Sequence, residues 1–314
     1  MKQRESILVT GANGQIGSVL VDALRVAYGN DAVIATDIHK PTQERGPFEI
    51  LDVLYPNRFR EIIHRYHVTQ IYHLAAFLSA KAEQHPQQAW EINMRGLFNV
   101  LELARESKLR VFFPSSIAVF GPSTPAMDTP QMAIAQPTTV YGISKVAGEN
   151  WCQYYFLRPG VDVRSVRYPG IIGYQSMPGG GTTDYAVDIF HAAVNRRPFS
   201  CFLREDTTLP MLYMEDAIRG TLELMEAPAE KLSIRTSYNM AGVSFSPAEI
   251  TAAIQGYYPD FEVAFVPDFR QPIADSWPKS IDDRVAREEW GWSPKFDLAG
   301  ITADMLEHLA PSLS

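Results

Sequence analysis

The chain has 314 residues, a formal net charge of −8 at pH 7 and a hydrophobic fraction of 46%. A chain of this length can bury a full α/β core together with a smaller second lobe. It carries no basic stripe, and no apolar run approaches the about 18 residues that span a bilayer. Neither nucleic acid nor a membrane is therefore an expected partner.

The two cysteines, Cys152 and Cys201, do not form a Cys-x-x-Cys pair. Since no cysteine and histidine cluster has zinc spacing, neither a disulfide framework nor a metal site is predicted. The first predicted strand follows residues 1–5 directly, which leaves no room for the apolar core of a signal peptide. We therefore expect a cytoplasmic protein.

Residues 7–17 are predicted to form a buried strand, a glycine turn and the start of a helix. The turn has the spacing Gly-x-x-Gly-x-x-Gly, in which Gly11 permits the tight turn and Gly14 lets a pyrophosphate approach the backbone. Gly17 allows the helix to pack close to the strand, and the N–H groups at the helix start face the phosphates. The predicted dinucleotide contacts of this turn are Gly11, Asn13, Gly14, Gln15, Ile16 and Gly17.

The second predicted strand, residues 32–36, ends in Asp37, about 20 residues after the last glycine of the turn. A carboxylate there accepts hydrogen bonds from both adenosine ribose hydroxyls and repels a 2′-phosphate, which favours NAD over NADP. A third short strand, residues 48–51, leads into Asp52, which is expected near the adenine amino group. Ile38 and Val53 are predicted to line the same end of the cofactor site.

The fourth predicted strand, residues 71–76, ends in residues that let the second half of the cofactor pass close to the backbone. A single histidine inside it, His73, is more typical of a packed core residue than of a catalytic base. The predicted cofactor contacts at its end are Leu74, Ala75 and Ala76.

A long helix is predicted from about residue 89 to 107, and it carries more apolar residues than one buried face requires. The residues in excess are Trp90, Met94 and Phe98. They are expected to pack against a partner subunit.

The fifth predicted strand, residues 111–116, brings Ser116 to the carboxyl edge of the sheet, where ligands of open α/β sheets bind. The next helix carries Tyr141 and Lys145 four residues apart, on one face. An ammonium one turn away and a positive nicotinamide ring both favour the phenolate, so Tyr141 can act as a base. Lys145 can also hold the nicotinamide ribose, and Ser116 can orient the substrate oxygen. These groups predict an alcohol-oxidation site.

A sixth strand, residues 161–167, leads to the last predicted cofactor contacts, Tyr168, Pro169 and Ile171. Beyond them the pattern becomes irregular, with a glycine loop at residues 179–181. We expect an NAD-binding domain over residues 1–172 and a substrate lobe over residues 173–314, partly interleaved with it.

Three motifs resemble those of the extended short-chain dehydrogenase/reductase family. They are Thr-Gly-Ala-Asn-Gly-Gln-Ile-Gly at residues 10–17, Ser-Ser-Ile-Ala-Val-Phe-Gly at 115–121 and Tyr-Gly-Ile-Ser-Lys at 141–145. The resemblance implies a doubly wound parallel Rossmann sheet with a smaller C-terminal α+β lobe, and a catalytic Ser116, Tyr141 and Lys145. It also implies a homodimer formed by the helices near residues 90–107 and 141–156.

Many members of that family are nucleotide-sugar epimerases or dehydratases, which is the natural alternative activity. Those enzymes use an arginine to hold the diphosphate, at a place that corresponds here to residues 207–216. An apolar residue occupies that position, which argues against a nucleotide sugar, although Arg204 could substitute.

Residues 178–187 are similar to the signature of the short-chain L-threonine 3-dehydrogenases within that family, as are residues 78–80 and 276–278. The resemblance implies that Ser79, Thr182 and Thr183 hold an amino acid beside Ser116 and Tyr141, with Thr183 pointing inward rather than Thr182. Trp277 could complete a lid over it. We expect oxidation of L-threonine by NAD⁺ to 2-amino-3-oxobutanoate. A binding protein that senses NAD(H) without turnover is a third alternative.

Overall fold

Twelve strands, named β1 to β12, are found in the part of the chain that the computed structural model describes, residues 5–43 and 45–310. They are β1 (Ile7–Thr10), β2 (Val33–Asp37), β3 (Phe48–Ile50), β4 (Gln70–His73), β5 (Arg110–Ser116), β6 (Val163–Tyr168), β7 (Gly170–Ile172), β8 (Phe199–Cys201), β9 (Leu209–Tyr213), β10 (Tyr238–Asn239), β11 (Val243–Phe245) and β12 (Val263–Phe265).

The same residues form twelve α-helices, named α1 to α12. They are α1 (Gln15–Tyr28), α2 (Pro56–Tyr66), α3 (Ser79–Gln84), α4 (Pro86–Trp90), α5 (Gly96–Ser107), α6 (Val140–Leu157), α7 (Tyr185–Val194), α8 (Met214–Glu226), α9 (Pro247–Gln255), α10 (Gln271–Asp275), α11 (Arg284–Trp290) and α12 (Leu298–Leu309).

The central sheet has seven parallel strands in the order β10-β6-β5-β4-β1-β2-β3. The order reverses beside β1, which makes this the doubly wound Rossmann sheet that the sequence predicts. Its strands are apolar runs because helices cover both faces, and Ile7, Leu8 and Val9 have no exposed surface.

The chain returns to this sheet after it has entered the second lobe. β10 extends the sheet beside β6, and α8 packs its apolar face, including Leu224, on the same side as Leu20 of α1. The division into residues 1–172 and 173–314, partly interleaved, stays a prediction. The second lobe has its own core, built from a sheet in the order β11-β9-β7 and from helices such as α7, α9 and α12.

The helix predicted from residue 89 begins earlier and is not uniform. It starts at Pro86, a residue suited to the first helical position, and continues through a π-helical turn, Glu91–Arg95, into α5. Because a π-turn holds more residues than an α-turn, it rotates the face that follows. Met94, inside this π-turn, is buried at 3% exposure, and the prediction that it faces a partner was wrong.

Within the described residues, no helix combines the length and the apolar character needed to cross a bilayer. The cytoplasmic location stays a prediction.

Candidate active site

Two adjoining cavities lie at the carboxyl end of the central sheet. We call the larger one, of about 530 Å³, the long cavity and the smaller one, of about 120 Å³, the small cavity. Seven residues line both: Gln15, Ile16, Leu78, Ser116, Tyr141, Pro169 and Ile171. A group bound where the two cavities meet would touch Ser116 and Tyr141, two of the predicted catalytic residues.

The glycine turn forms one wall of the long cavity. Gly11 has φ of 68°, a conformation that favours glycine, and a Cβ on Gly17 would lie 2.2 Å from the Gly11 carbonyl oxygen. A Cβ on Gly14 would meet only that same carbonyl, at 3.2 Å. The turn is therefore tight toward the protein and open where a pyrophosphate would approach the start of α1.

Asp37 lies at the end of β2 and lines the long cavity. Its carboxylate accepts hydrogen bonds from the backbone N–H of Asn13 at 3.0 Å and of Ile38 at 2.8 Å, which fixes its orientation. Asn13 itself lines a neighbouring surface cleft, and its side chain donates to the carbonyl of His39 at 2.7 Å. Asn13 thus holds the Asp37 carboxylate from outside the long cavity. Asp52 lines the long cavity together with Asp37.

The other predicted cofactor contacts also line the long cavity. They are Gly11, Gly14, Gln15, Ile16, Gly17, Ile38, Asp52, Val53, Leu74, Ala75, Ala76, Tyr141, Lys145, Tyr168, Pro169 and Ile171. An open glycine turn, a ribose-binding carboxylate and apolar walls are what an extended dinucleotide requires, so the residues present fit NAD.

Helix α6 presents Tyr141 and Lys145 to the end of β5. The hydroxyl of Thr139 caps the helix by accepting from the N–H of Gly142 at 3.1 Å. Lys145 Nζ donates to the carbonyl oxygen of Pro114 at 2.6 Å and lies 5.4 Å from the centre of the Tyr141 ring. The Tyr141 hydroxyl is hydrogen-bonded to Ser116. The three predicted catalytic residues are therefore together.

Burial acts on both titratable groups of this cluster. It raises the pKa of Tyr141 to about 12, although the hydrogen bond from Ser116 opposes the shift. It lowers the pKa of Lys145 to about 8, so the ammonium is mostly charged at neutral pH. Tyr141 is protonated in this state, and its action as a base requires positive charge beside it.

His73 is a core residue, as the sequence predicts. It is 2% exposed, its Nδ1 is 2.9 Å from the hydroxyl oxygen of Thr10, and burial lowers its pKa to about 3. The imidazole is thus neutral, and it lines neither cavity.

The small cavity is lined by Ser79, Thr182, Thr183 and Trp277. The Thr182 hydroxyl is buried and finds no hydrogen-bond partner among the described residues, whereas Thr183 is partly exposed. Both threonines line the cavity, so the preference for Thr183 stays a prediction. Trp277, at 9% exposure, is a buried indole that also forms part of the wall.

One residue of the small cavity was missed by the sequence reasoning. Asp184 directly precedes α7, but its side chain makes no capping bond to that helix. It turns back instead and accepts from the N–H groups of Gly180 at 2.7 Å and Gly181 at 2.6 Å. Among the described residues it is the one carboxylate that lines the small cavity. Only its place directly after the two threonines could have pointed to it.

Arg204 does not replace the missing diphosphate-binding arginine. Its guanidinium pairs with Asp275 at 2.7 Å and lies 3.5 Å from Asp206, on the surface of the second lobe. In the part of the chain that is described, no arginine lines either cavity.

Comparison with known proteins gives a family and close relatives. The sequence pattern of the NAD-dependent epimerase/dehydratase family matches residues 7–241. An uncharacterized epimerase/dehydratase of Staphylococcus saprophyticus is 52% identical over 308 residues, which cover 96% of each chain.

Two solved structures share the whole architecture. The holo form of a GalE-like L-threonine dehydrogenase from Cupriavidus necator is 56% identical, with a TM-score of 0.96 over 97% of this chain and 99% of that one. A monomeric L-threonine 3-dehydrogenase from a metagenome is 47% identical, with a TM-score of 0.95 over 97% and 98% of the two chains.

Proposed function

This chain belongs to the NAD-dependent epimerase/dehydratase family, and we propose that within this family it oxidises the β-hydroxyl of L-threonine with NAD⁺, giving 2-amino-3-oxobutanoate. The observation that carries this proposal is the small cavity, which joins the catalytic cluster to hydroxyl groups and one carboxylate. The two threonine dehydrogenases of known structure, at 56% and 47% identity, support it.

The residues divide the reaction between them. Bound NAD⁺ supplies the acceptor for the hydride that leaves the β-carbon. Tyr141 takes the proton of the β-hydroxyl, and Ser116 orients that oxygen by a hydrogen bond. Lys145 carries the positive charge that favours the tyrosinate, and its anchor on the carbonyl of Pro114 holds it in place.

The amino-acid end of the substrate faces the small cavity. We infer that Ser79, Thr182 and Thr183 donate to its carboxylate, since the Thr182 hydroxyl is buried without a partner in the described chain. Asp184 faces its ammonium group, for which the sequence alone indicated no partner. A charge-assisted bond of this kind selects an amino acid over a simple alcohol.

Two observations disfavour a nucleotide sugar. The small cavity, at about 120 Å³, is far below the about 300–1,000 Å³ typical of sites for larger ligands. In addition, Lys145 is the one cation that lines either cavity in the described residues, and it serves the reacting end. A diphosphate would lack a bidentate partner there.

The test follows NADH absorbance with purified protein and a panel of amino acids, hydroxy acids and nucleotide sugars. We expect NADH formation with L-threonine that depends on the enzyme. Interconversion of UDP-sugars without any NADH from L-threonine would overturn the proposal, and NAD binding without turnover of any compound would favour a sensor.

We also propose that two chains associate through α5 and α6. The faces near these helices expose Trp90, Ile143, Trp151, Tyr154 and Leu157, each between 37% and 65% exposed. Phe98 and Trp151 stack edge to face at 4.7 Å, which forms a continuous aromatic surface. One relative at 47% identity is monomeric, so the association state of this chain needs its own measurement.

A further inference from the structure

Helix α6 is joined to the end of β5 at three successive turns. The residues on the joined face lie four apart: Tyr141, Lys145 and Glu149. Their respective partners on β5 are the hydroxyl of Ser116, the carbonyl of Pro114 and the hydroxyl of Ser115. Two of these contacts belong to the catalytic cluster, and the third has no assigned purpose.

Glu149 makes that third contact from inside the protein, at 4% exposure. Its Oε1 accepts from the Ser115 hydroxyl at 2.6 Å and from Arg167 Nε at 2.9 Å. Its Oε2 accepts from a second guanidinium nitrogen of Arg167 at 2.8 Å. Ser115 and Arg167 are directly paired neighbours on β5 and β6. One carboxylate therefore connects α6 to two strands of the sheet.

A buried ion pair is not explained by stability alone. Replacing such a pair with apolar residues is often neutral or stabilising. Removing two charges from water costs on the order of several kcal/mol, which is about as much as their mutual attraction returns. Glu149 is one helical turn from Lys145 and binds Ser115, the neighbour of Ser116, so a role in the reaction accounts better for the pair.

The charges around Lys145 show what that role is. Burial lowers the pKa of Lys145, and interactions with Cys152 and Glu149 oppose the shift. Cys152 stays a neutral thiol because burial raises its own pKa, and His73 on β4 is neutral for the same physical reason. Tyr141 is protonated, and Arg167 on β6 is held by Glu149. Of these groups, Glu149, one turn along the same helix, is thus the negative charge that opposes the shift of the Lys145 pKa.

We propose that Glu149 is a positioning residue of the reaction, which holds α6 in register with β5 and β6 and keeps a carboxylate one helical turn from Lys145. This inference rests on the proposed function for the roles of Tyr141 and Lys145. A Lys145 that loses its charge no longer favours the tyrosinate, so the effect passes from Glu149 through Lys145 to the base.

The direct test is the titration of Lys145 in protein labelled with ¹³C at lysine Cε, with Lys145→Met to assign the signal. The double variant Glu149→Gln, Arg167→Gln removes both charges and leaves no unpaired guanidinium. We expect the pKa of Lys145 to fall by about one unit relative to the wild type. Ser115→Ala is the matched control, because it removes one hydrogen bond of the carboxylate but keeps the charge. Its titration should be unchanged.

If the double variant does not fold, Glu149→Gln alone tests the same direction of change in the pKa of Lys145. Its Lys145 pKa should fall further, since the unopposed Arg167 adds positive charge nearby. An unchanged Lys145 titration in whichever variant folds overturns the proposal.

The kinetic consequence is an alkaline limb of kcat/KM that moves to lower pH by about one unit in the double variant, because Lys145 has to be charged. The rate deficit is then small below neutral pH and grows to about tenfold as the pH rises above about 8. A uniform loss at every pH would show a structural role only. Because the titration needs no turnover, a moved titration in a protein that does not oxidise L-threonine would overturn the proposed function and leave the role of Glu149 intact.

Discussion

The long cavity and the small cavity meet at Tyr141 but are built in different ways. The long cavity is walled by strand ends, a glycine turn and apolar side chains, all of them from the first 172 residues. The small cavity gathers Ser79, the segment 181–184 and Trp277, which are distant in the sequence. Backbone geometry shapes the first site and individual polar side chains shape the second.

This difference has a consequence for ligand choice. A site made by backbone and apolar contacts suits any ligand with the right extended shape, and the carboxylates expected at its adenosine end are Asp37 and Asp52. A site made by hydroxyls and a carboxylate selects by paired charge, because a mismatched ligand leaves a buried polar group unsatisfied. Substitutions in the small cavity should therefore affect the amino acid alone, and those in the long cavity should affect the cofactor.

The largest effect is expected where the two cavities meet. Tyr141→Phe removes the proton acceptor and should lower kcat by about 10²–10⁴-fold, while NAD binding measured by calorimetry stays nearly unchanged. Tyr154→Phe is the matched control, since that hydroxyl is on the same helix but half-exposed, away from both cavities. Wild-type turnover by the Tyr141→Phe protein would show that Tyr141 is not the base.

Asp184→Asn tests the small cavity by itself. The loss of a charge-assisted hydrogen bond, about 1.5–3 kcal/mol, should raise KM for L-threonine by about 10- to 100-fold. The dissociation constant of NAD should not change. Asp188→Asn serves as a control on the same helix, because Asp188 lines neither cavity. An equal loss of NAD affinity in Asp184→Asn would contradict the separation of the two sites.

Asp37→Ser tests the long cavity in the same manner. NAD affinity should fall by about tenfold and the preference for NAD over NADP should narrow, because the carboxylate that binds the ribose and repels a 2′-phosphate is gone. Steady-state kinetics with both cofactors measure this, with Asp31→Ser as an exposed control. The account would fail if KM for L-threonine rose while cofactor preference held.

The smallest effect on activity is expected from Trp151→Glu, which places a charge in the aromatic surface of α5 and α6. The molar mass from light scattering should fall from that of a dimer to that of a monomer, with kcat changed less than about twofold, because neither cavity includes this surface. Tyr257→Glu, at an exposed position of the second lobe, is the control. A wild-type protein that is already monomeric would end the association proposal.

Particular residues show which parts of the site could be predicted from the sequence and which could not. The glycine turn, Asp37 and the pair Tyr141 and Lys145 were predictable because each depends on local geometry, a turn or one helical face. The burial of Met94 was not, because the sequence pattern does not show the π-turn that contains it. Asp184 was missed, since nothing local indicates that its carboxylate turns back onto Gly180 and Gly181.

The sequence by itself determined the Rossmann sheet, the glycine turn after β1 and the meeting of Ser116, Tyr141 and Lys145, because periodicity and short spacings already specify which side chains share a face. Tertiary structure alone decided that Glu149 meets Ser115 and Arg167, and that Asp184 joins Ser79 and Trp277 around one cavity. Those contacts join segments that are distant in the sequence and meet only when the strands pair and the second lobe packs against the sheet. Their geometry is set by packing in space, which no local pattern records.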